Sequence, residues 1–307
     1  MDTATGDESK RNTKIVLAFV LASLLIVGGF AALVVDVITR VPDFKDLRGS
    51  FEITVELPNE KTDKRVFGPK TKSWVPISQI SNYALQAVIA SEDTSFFSHE
   101  GVDFHELKEA IKKDWKEKKW ARGASTITQQ VIKNVYLSRE KTLWRKFKEF
   151  FWARKLDEFA SKNEILNIYF NIVEFGPNVY GIREAASHYF QTTPANLSLK
   201  QSAFLAMLLP SPKKYHSYFE KRELSDWAQS RVDRILEIML KMGFIEDEEY
   251  QAGLNEPLWD GISGESEDAE IPDPFDDGEV NMTPPQEEPP LTVPQDEIPD
   301  VPEEAAP

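Results

Sequence analysis

Ile15 to Val35 is a run of 21 residues without a charged side chain. No other feature of the sequence restricts the fold so strongly. As a helix the run would span about 31 Å at 1.5 Å per residue, and a bilayer's hydrocarbon core is about 30 Å thick. Lys10, Arg11 and Lys14 precede it, and Asp36 and Arg40 follow it. The basic flank stays in the cytoplasm under the positive-inside bias, which puts the residues after Val35 on the far side. The apolar stretch of a secretory signal is about 7–15 residues, so this longer run predicts an uncleaved anchor. The expected location is the cytoplasmic (inner) membrane, single-pass, with residues 1–14 in the cytoplasm.

The net charge of −15 is local. Residues 256–307 hold seventeen Asp and Glu, eleven of the 19 prolines, and no Lys or Arg. The remaining 34 acids face all 36 Lys and Arg, so the rest of the chain is near neutral. Such a segment has too little apolar surface to offset chain entropy, and a disordered acidic tail is expected over 254–307. A solvated spacer and a docking segment for a basic partner both fit it. The chain has no cysteine, which excludes thiol catalysis, disulfides and Cys-ligated metal centres.

Residues 36–75 read as a linker with small strands. Phe51 to Glu56 alternates with period two, and Arg65 to Phe67 can pair with it. From Ile77 to about Gly253 the apolar spacing is helical, with about eight helices and no long strand. Ser161 with Glu164 and Ser198 with Gln201 have the spacing of capping boxes, and Ser225 can cap a helix running towards Gly243. The fold class is mostly α, with a single domain over 76–253.

Three segments carry candidate chemistry. Glu92 and Asp93 follow an apolar helical stretch and precede Phe96, His99 and Gly101. A carboxylate beside apolar groups can serve as an acid or base near neutral pH, but a solvated helix end fits this segment as well. Arg122, Gly123, Ser125 and Thr126 open a helix, and a first turn with free N–H groups can bind an anion. Gln129, Gln130, Lys133 and Asn134 follow, with Gln129 and Lys133 on one face. Lys141, Arg145, Lys146 and Lys148 surround Glu149, and residues 105–155 hold fifteen Lys and Arg against six Asp and Glu. Excess positive charge suits a phosphorylated substrate, and an ordinary basic helix face paired at i,i+4 fits too.

Four ordered motifs resemble the peptidoglycan glycosyltransferases, glycosyltransferase family 51. They are Glu-Asp-x-x-Phe-x-x-His-x-Gly at 92–101, Gly-x-Ser-Thr-Ile-Thr-Gln-Gln with Lys-Asn at 123–134, Arg-Lys-x-x-Glu at 145–149, and Lys-x-x-Ile-x-x-x-Tyr-x-Asn at 162–171. The likeness covers about residues 70–215. Ala124, Asn167 and Phe170 depart from the residues usual there. No Lys-Thr-Gly occurs, and the Ser-x-x-Lys matches at Ser138 and Ser211 fall inside the glycosyltransferase region. The resemblance therefore implies a monofunctional enzyme that lactam antibiotics do not acylate.

The resemblance implies a lysozyme-like helical domain that polymerises lipid II into a growing glycan strand and releases undecaprenyl pyrophosphate. It makes Glu92 the general base and Glu149 a second catalytic acid that orients a cation, water or basic group. It places Asp93, Phe96, His99, Arg122, Gly123, Ser125, Thr126, Gln129, Gln130, Lys133, Asn134, Lys141, Arg145 and Lys146 against substrate. A divalent cation, magnesium or manganese, is implied without a readable ligand set, and no organic cofactor. The implied partners are the membrane and cell-wall synthesis or division proteins, with no nucleic acid. Moenomycin sensitivity follows from the same likeness. The helix beginning near Phe104, with Leu107, Ile111, Trp115, Trp120 and many lysines, suits the lipid headgroup region and fits core packing equally. A rival function is an anchored lysozyme-like hydrolase or lytic transglycosylase, which also uses a catalytic Glu.

Overall fold

The computed structural model describes residues 3–57, 61–117, 125–137 and 142–259, without the side chains of 3–13, 111 and 113–117. The expectations for the acidic tail beyond 259, for Arg122, Gly123 and Lys141, and for the side chains of Ile111, Trp115 and Trp120 lie outside these residues.

The chain divides into two compact units, the first ending at Asp43 and the second beginning at Phe44. The first is helix α1, Thr3–Thr39. It extends past the apolar run at both ends. Its apolar window has a mean hydropathy of 2.7, long and apolar enough to cross a membrane, and none of that window is buried in the protein.

The second unit opens with a short turn of 3₁₀ helix at Phe44–Arg48 that buries Phe44 and Leu47. An antiparallel hairpin follows, β1 at Phe51–Glu56 and β2 at Thr62–Phe67, with Phe51 opposite Phe67. The period-two pattern decides which face turns inward: Phe51, Ile53 and Val55 are buried and Glu52 and Thr54 exposed. Residues expected to form a linker thus belong to the compact unit from Phe44 onward.

Helices α2 (Asn82–Glu92), α3 (Phe104–Glu117), α4 (Ile127–Tyr136), α5 (Leu143–Phe159) and α6 (Lys162–Ile172) carry the motif residues. Beyond them lie β3 (Glu174–Gly176), β4 (Val179–Tyr180), α7 (Gly181–Phe190), α8 (Leu199–Leu208), α9 (Pro212–Tyr215), α10 (Ser217–Lys221), α11 (Asp226–Lys241) and α12 (Asp247–Asn255). The β3–β4 pair was not expected. It turns through Asn178 at φ 63°, a left-handed conformation that asparagine tolerates better than most residues.

The core forms where apolar residues run nearly without interruption. In α8 every residue but Gln201 is buried, and in α6 every residue from Ile165 to Ile172 but Asn167. Helices α2, α8 and α11 pack together on one side, and α4, α5 and α6 on the other. The capping boxes at Ser161 with Glu164 and Ser198 with Gln201 form as their spacing predicts, and Ser225 Oγ accepts the Ala228 N–H. The helical unit reaches past the expected boundary at 253. Glu256 accepts the Lys200 N–H at 3.2 Å, Leu258 is buried, and the Trp259 ring lies 5.5 Å from that of Phe204.

Candidate active site

Glu92 ends α2, whose buried face runs from Ala84 to Ala90. The apolar helix delivers this carboxylate into the protein rather than to open solvent. Gln130 Nε2, from α4, donates to Glu92 Oε2 at 2.7 Å. Burial pushes the Glu92 carboxyl above the ordinary range, and neighbouring Asp93 adds to that. The Gln130 bond and the charges of Lys133 and Arg231 act the other way without cancelling it. A carboxyl raised in this way is suited to take a proton near neutral pH.

Asp93 does a different job. It is buried, and its Oδ2 accepts the Ile127 N–H at 2.9 Å, while His99 Nε2 lies 2.9 Å from Oδ1. Thr126 caps α4 in a reciprocal box with Gln129 and donates from Oγ1 to the Gly101 carbonyl at 2.8 Å. Gly101 sits at φ 77°, and a Cβ there would meet the Ala153 carbonyl at 2.5 Å, so no side chain fits. Phe96 is wholly buried with the Lys162 ammonium 4.9 Å above its ring, and Lys162 also donates to the His99 carbonyl at 2.6 Å.

These contacts correct part of the expectation. Asp93, Phe96, His99, Thr126 and Gln129, expected against substrate, instead have protein partners in the structure. They lock the 92–101 turn onto the start of α4. In the first turn of α4 the Ile127 and Gln129 N–H groups already have protein acceptors. A buried carboxylate at a helix N-terminus fills the place a phosphate would take.

Glu149 is 2 % exposed. Arg145 Nη1 donates to its Oε2 at 2.9 Å, and Lys146 Nζ donates to its Oε1. Lys146 Nζ also donates to Ser125 Oγ at 2.7 Å. Lys133 completes the group. It has exposed surface, yet the atoms around its ammonium strip enough water to hold its pKa below the ordinary lysine value. Glu149 and Glu92 both oppose that shift, whereas Lys146 and Arg145 reinforce it. Lys133 is therefore under the electrostatic influence of both acids. The structure brings Glu92, Ser125, Gln130, Lys133, Arg145, Lys146 and Glu149 together, and Asn134 is half-buried next to Lys133.

Among the described residues no group of three or more His, Asp or Glu is placed to hold a metal ion. Both oxygens of Glu149 already accept from cations. These described residues do not fit a divalent-cation site.

The family model for the transglycosylases matches residues 60–240. The chain belongs to the transglycosylase family. The four motifs fall inside the match, and the helical unit that carries them is this family's lysozyme-like domain. A biosynthetic peptidoglycan transglycosylase of Nitrosomonas eutropha is 43 % identical over 162 residues, covering 53 % of this chain and 66 % of that protein. One from Nitrosomonas europaea is 47 % identical over 142 residues, covering 46 % and 58 %. The penicillin-binding protein 1A/1B of Bacillus subtilis is 36 % identical over 235 residues, covering 75 % of this chain and 25 % of that protein. The chain thus spans less than two thirds of the length of these relatives.

Two residues of this transglycosylase site were given no role from sequence, although Tyr169 is the tyrosine of the fourth motif. Arg231, on α11, lies beyond the four motifs, and its charge reaches Glu92. Tyr169, on α6, donates from its hydroxyl to Gln130 Oε1 at 3.3 Å. A tyrosine inside an unbroken apolar helix run is the signal that marks it, since its hydroxyl must find a buried partner.

Proposed function

We propose that this transglycosylase polymerises lipid II, joining its disaccharide units into a glycan strand with release of undecaprenyl pyrophosphate. The acceptor's sugar 4-hydroxyl attacks the donor's anomeric carbon. Glu92 takes the hydroxyl proton as the new C–O bond forms, and the bond from that carbon to the pyrophosphate oxygen breaks. A hydroxyl with so high a pKa reacts only with a positioned base. The departing pyrophosphate gains negative charge, and cations fixed in advance stabilise that charge without reorganising.

The observation that carries this reading is Lys133, which feels the charge of both Glu92 and Glu149, beside the Arg145 and Lys146 cations held on Glu149. Lys133, Arg145 and Lys146 bring three positive charges against the two negative charges of Glu149 and Glu92, leaving a net positive charge that favours an anionic leaving group. Glu149 anchors Arg145 and Lys146, so its role is to hold those cations towards the leaving group. An enzyme that only hydrolyses neutral glycosidic bonds has no use for that excess.

In the same reading α1 anchors the enzyme in the inner membrane with its N-terminus in the cytoplasm and the catalytic unit outside. A membrane-bound enzyme then meets a membrane-bound substrate in two dimensions. Incubating the purified protein with lipid II tests the proposal. Long glycan is expected from lipid II; shortening of preformed glycan without polymer formation would assign the protein to the hydrolases or lytic transglycosylases.

A further inference from the structure

Tyr169 lies in the most apolar stretch of α6 and is wholly buried. A phenol hydroxyl in such a place must be hydrogen-bonded, and this one donates to Gln130 Oε1 at 3.3 Å. Gln130 Nε2 donates in turn to Glu92 Oε2 at 2.7 Å. A primary amide has one accepting end and one donating end. A hydroxyl donor at its oxygen turns its NH₂ towards Glu92. With the amide reversed, its oxygen would face a carboxylate oxygen, an arrangement that holds only when Glu92 carries a proton.

We propose that Tyr169 is a positioning residue for the base, its hydroxyl holding the Gln130 amide in the orientation that presents NH₂ to the Glu92 carboxylate. This rests on the assignment of Glu92 as base. The other groups acting on Glu92 are Asp93 beside it, Lys133 from α4 and Arg231 from α11. Lys133 and Arg231 favour the ionised carboxylate through charge, which imposes no orientation. Gln130 favours it through a directed bond, and Tyr169 sets the direction. Without the hydroxyl, both amide orientations become accessible, and the one that favours the proton-accepting form of Glu92 is depopulated.

Tyr169→Phe removes one oxygen and keeps the ring. In the full-length enzyme acting on lipid II, the acidic limb of kcat/KM against pH should move up by about half a unit to one unit, the size of shift expected from weakening one hydrogen bond. Activity below the limb should fall more than activity on the plateau. An unmoved limb with an equal loss at every pH marks a scaffold role and overturns the proposal.

Thermal unfolding across pH gives a readout that needs no activity. Glu92 has a raised folded pKa, so its contribution to stability is lost as pH rises from the unfolded carboxyl range through the folded pKa. Tyr169→Phe raises the folded pKa further, so its penalty should grow as pH rises from the wild-type folded pKa to the variant's higher one, and the growth should vanish in a Glu92→Gln background. A penalty independent of pH, or one that grows equally without the Glu92 carboxyl, overturns the proposal. A wild-type protein inactive on lipid II would instead remove the functional reading, and the unfolding series would still decide the role of Tyr169.

Discussion

The Asp93 carboxylate accepts the Ile127 N–H at 2.9 Å, so the residue next to the base in sequence caps the helix that carries Gln130 and Lys133. One side chain thus ties the residue after Glu92 to the start of the helix that carries Lys133.

Asp93→Ala removes that cap and strands the buried His99 Nε2. Losing a cap costs about 0.5–2 kcal/mol, and an unsatisfied buried polar group about 1–3 kcal/mol. Denaturant unfolding should show a loss of about 2–4 kcal/mol, with polymerisation impaired through misplacement of α4. An unchanged midpoint would show that the contact does not hold the site together.

The pH profile of kcat/KM should be a narrowed bell. Activity requires Glu92 ionised, and burial raises its pKa, so the acidic limb should lie above the ordinary carboxylate range of about 4.5. It requires Lys133 charged, and desolvation lowers its pKa, so the alkaline limb should lie below 10.5. Steady-state rates across pH at saturating salt check both limbs. An acidic limb at an unshifted carboxylate pKa would contradict the burial argument.

Lys133→Ala should lower kcat by about 10²–10³-fold, as for the loss of one preorganised charge-stabilising donor. It should also move the acidic limb upward, because Glu92 loses a favourable positive neighbour. Binding of moenomycin, a phosphoglycolipid, should weaken in the same variant, as a direct affinity measurement would show. Undiminished turnover would remove Lys133 from the pyrophosphate site.

Some of this was legible in the sequence and some was not. The boxes at Ser161 with Glu164 and Ser198 with Gln201 are local, and local spacing predicts them. The alternation of Phe51 to Glu56 is equally local, and its strand forms. Thr126 with Gln129 has the same capping spacing, but the pair reads as a ligand contact until the reciprocal bonds are seen. The bond from Asp93 to Ile127 crosses 34 residues, and no periodicity announces it. The Asn171 side chain accepts the Val75 N–H at 2.7 Å and donates to the Val75 carbonyl at 2.9 Å, across 96 residues. Motif residues such as Asp93 and Asn171 are long-range clamps, and chain order alone does not announce them.

The same limit applies to the C-terminal boundary. Deleting residues 260–307 should leave polymerisation and the unfolding midpoint largely unchanged. Deleting 256–307 should not, because it also removes Leu258 and Trp259, and loss of large buried apolar side chains costs about 2–5 kcal/mol. Parallel unfolding of the two truncations distinguishes them, and equal stability would show that Leu258 and Trp259 are not part of the core.

Glu92 as the base is the step on which the proposed polymerisation depends. Glu92→Gln keeps the size of the side chain and removes its ability to take a proton, and loss of a general base costs about 10²–10⁴-fold. Polymerisation of lipid II by the purified full-length variant, with its fold checked by thermal unfolding, is the direct measurement. A folded protein with activity lowered by at least about 10²-fold is the predicted result, and a folded protein turning over lipid II at close to the wild-type rate would contradict the account.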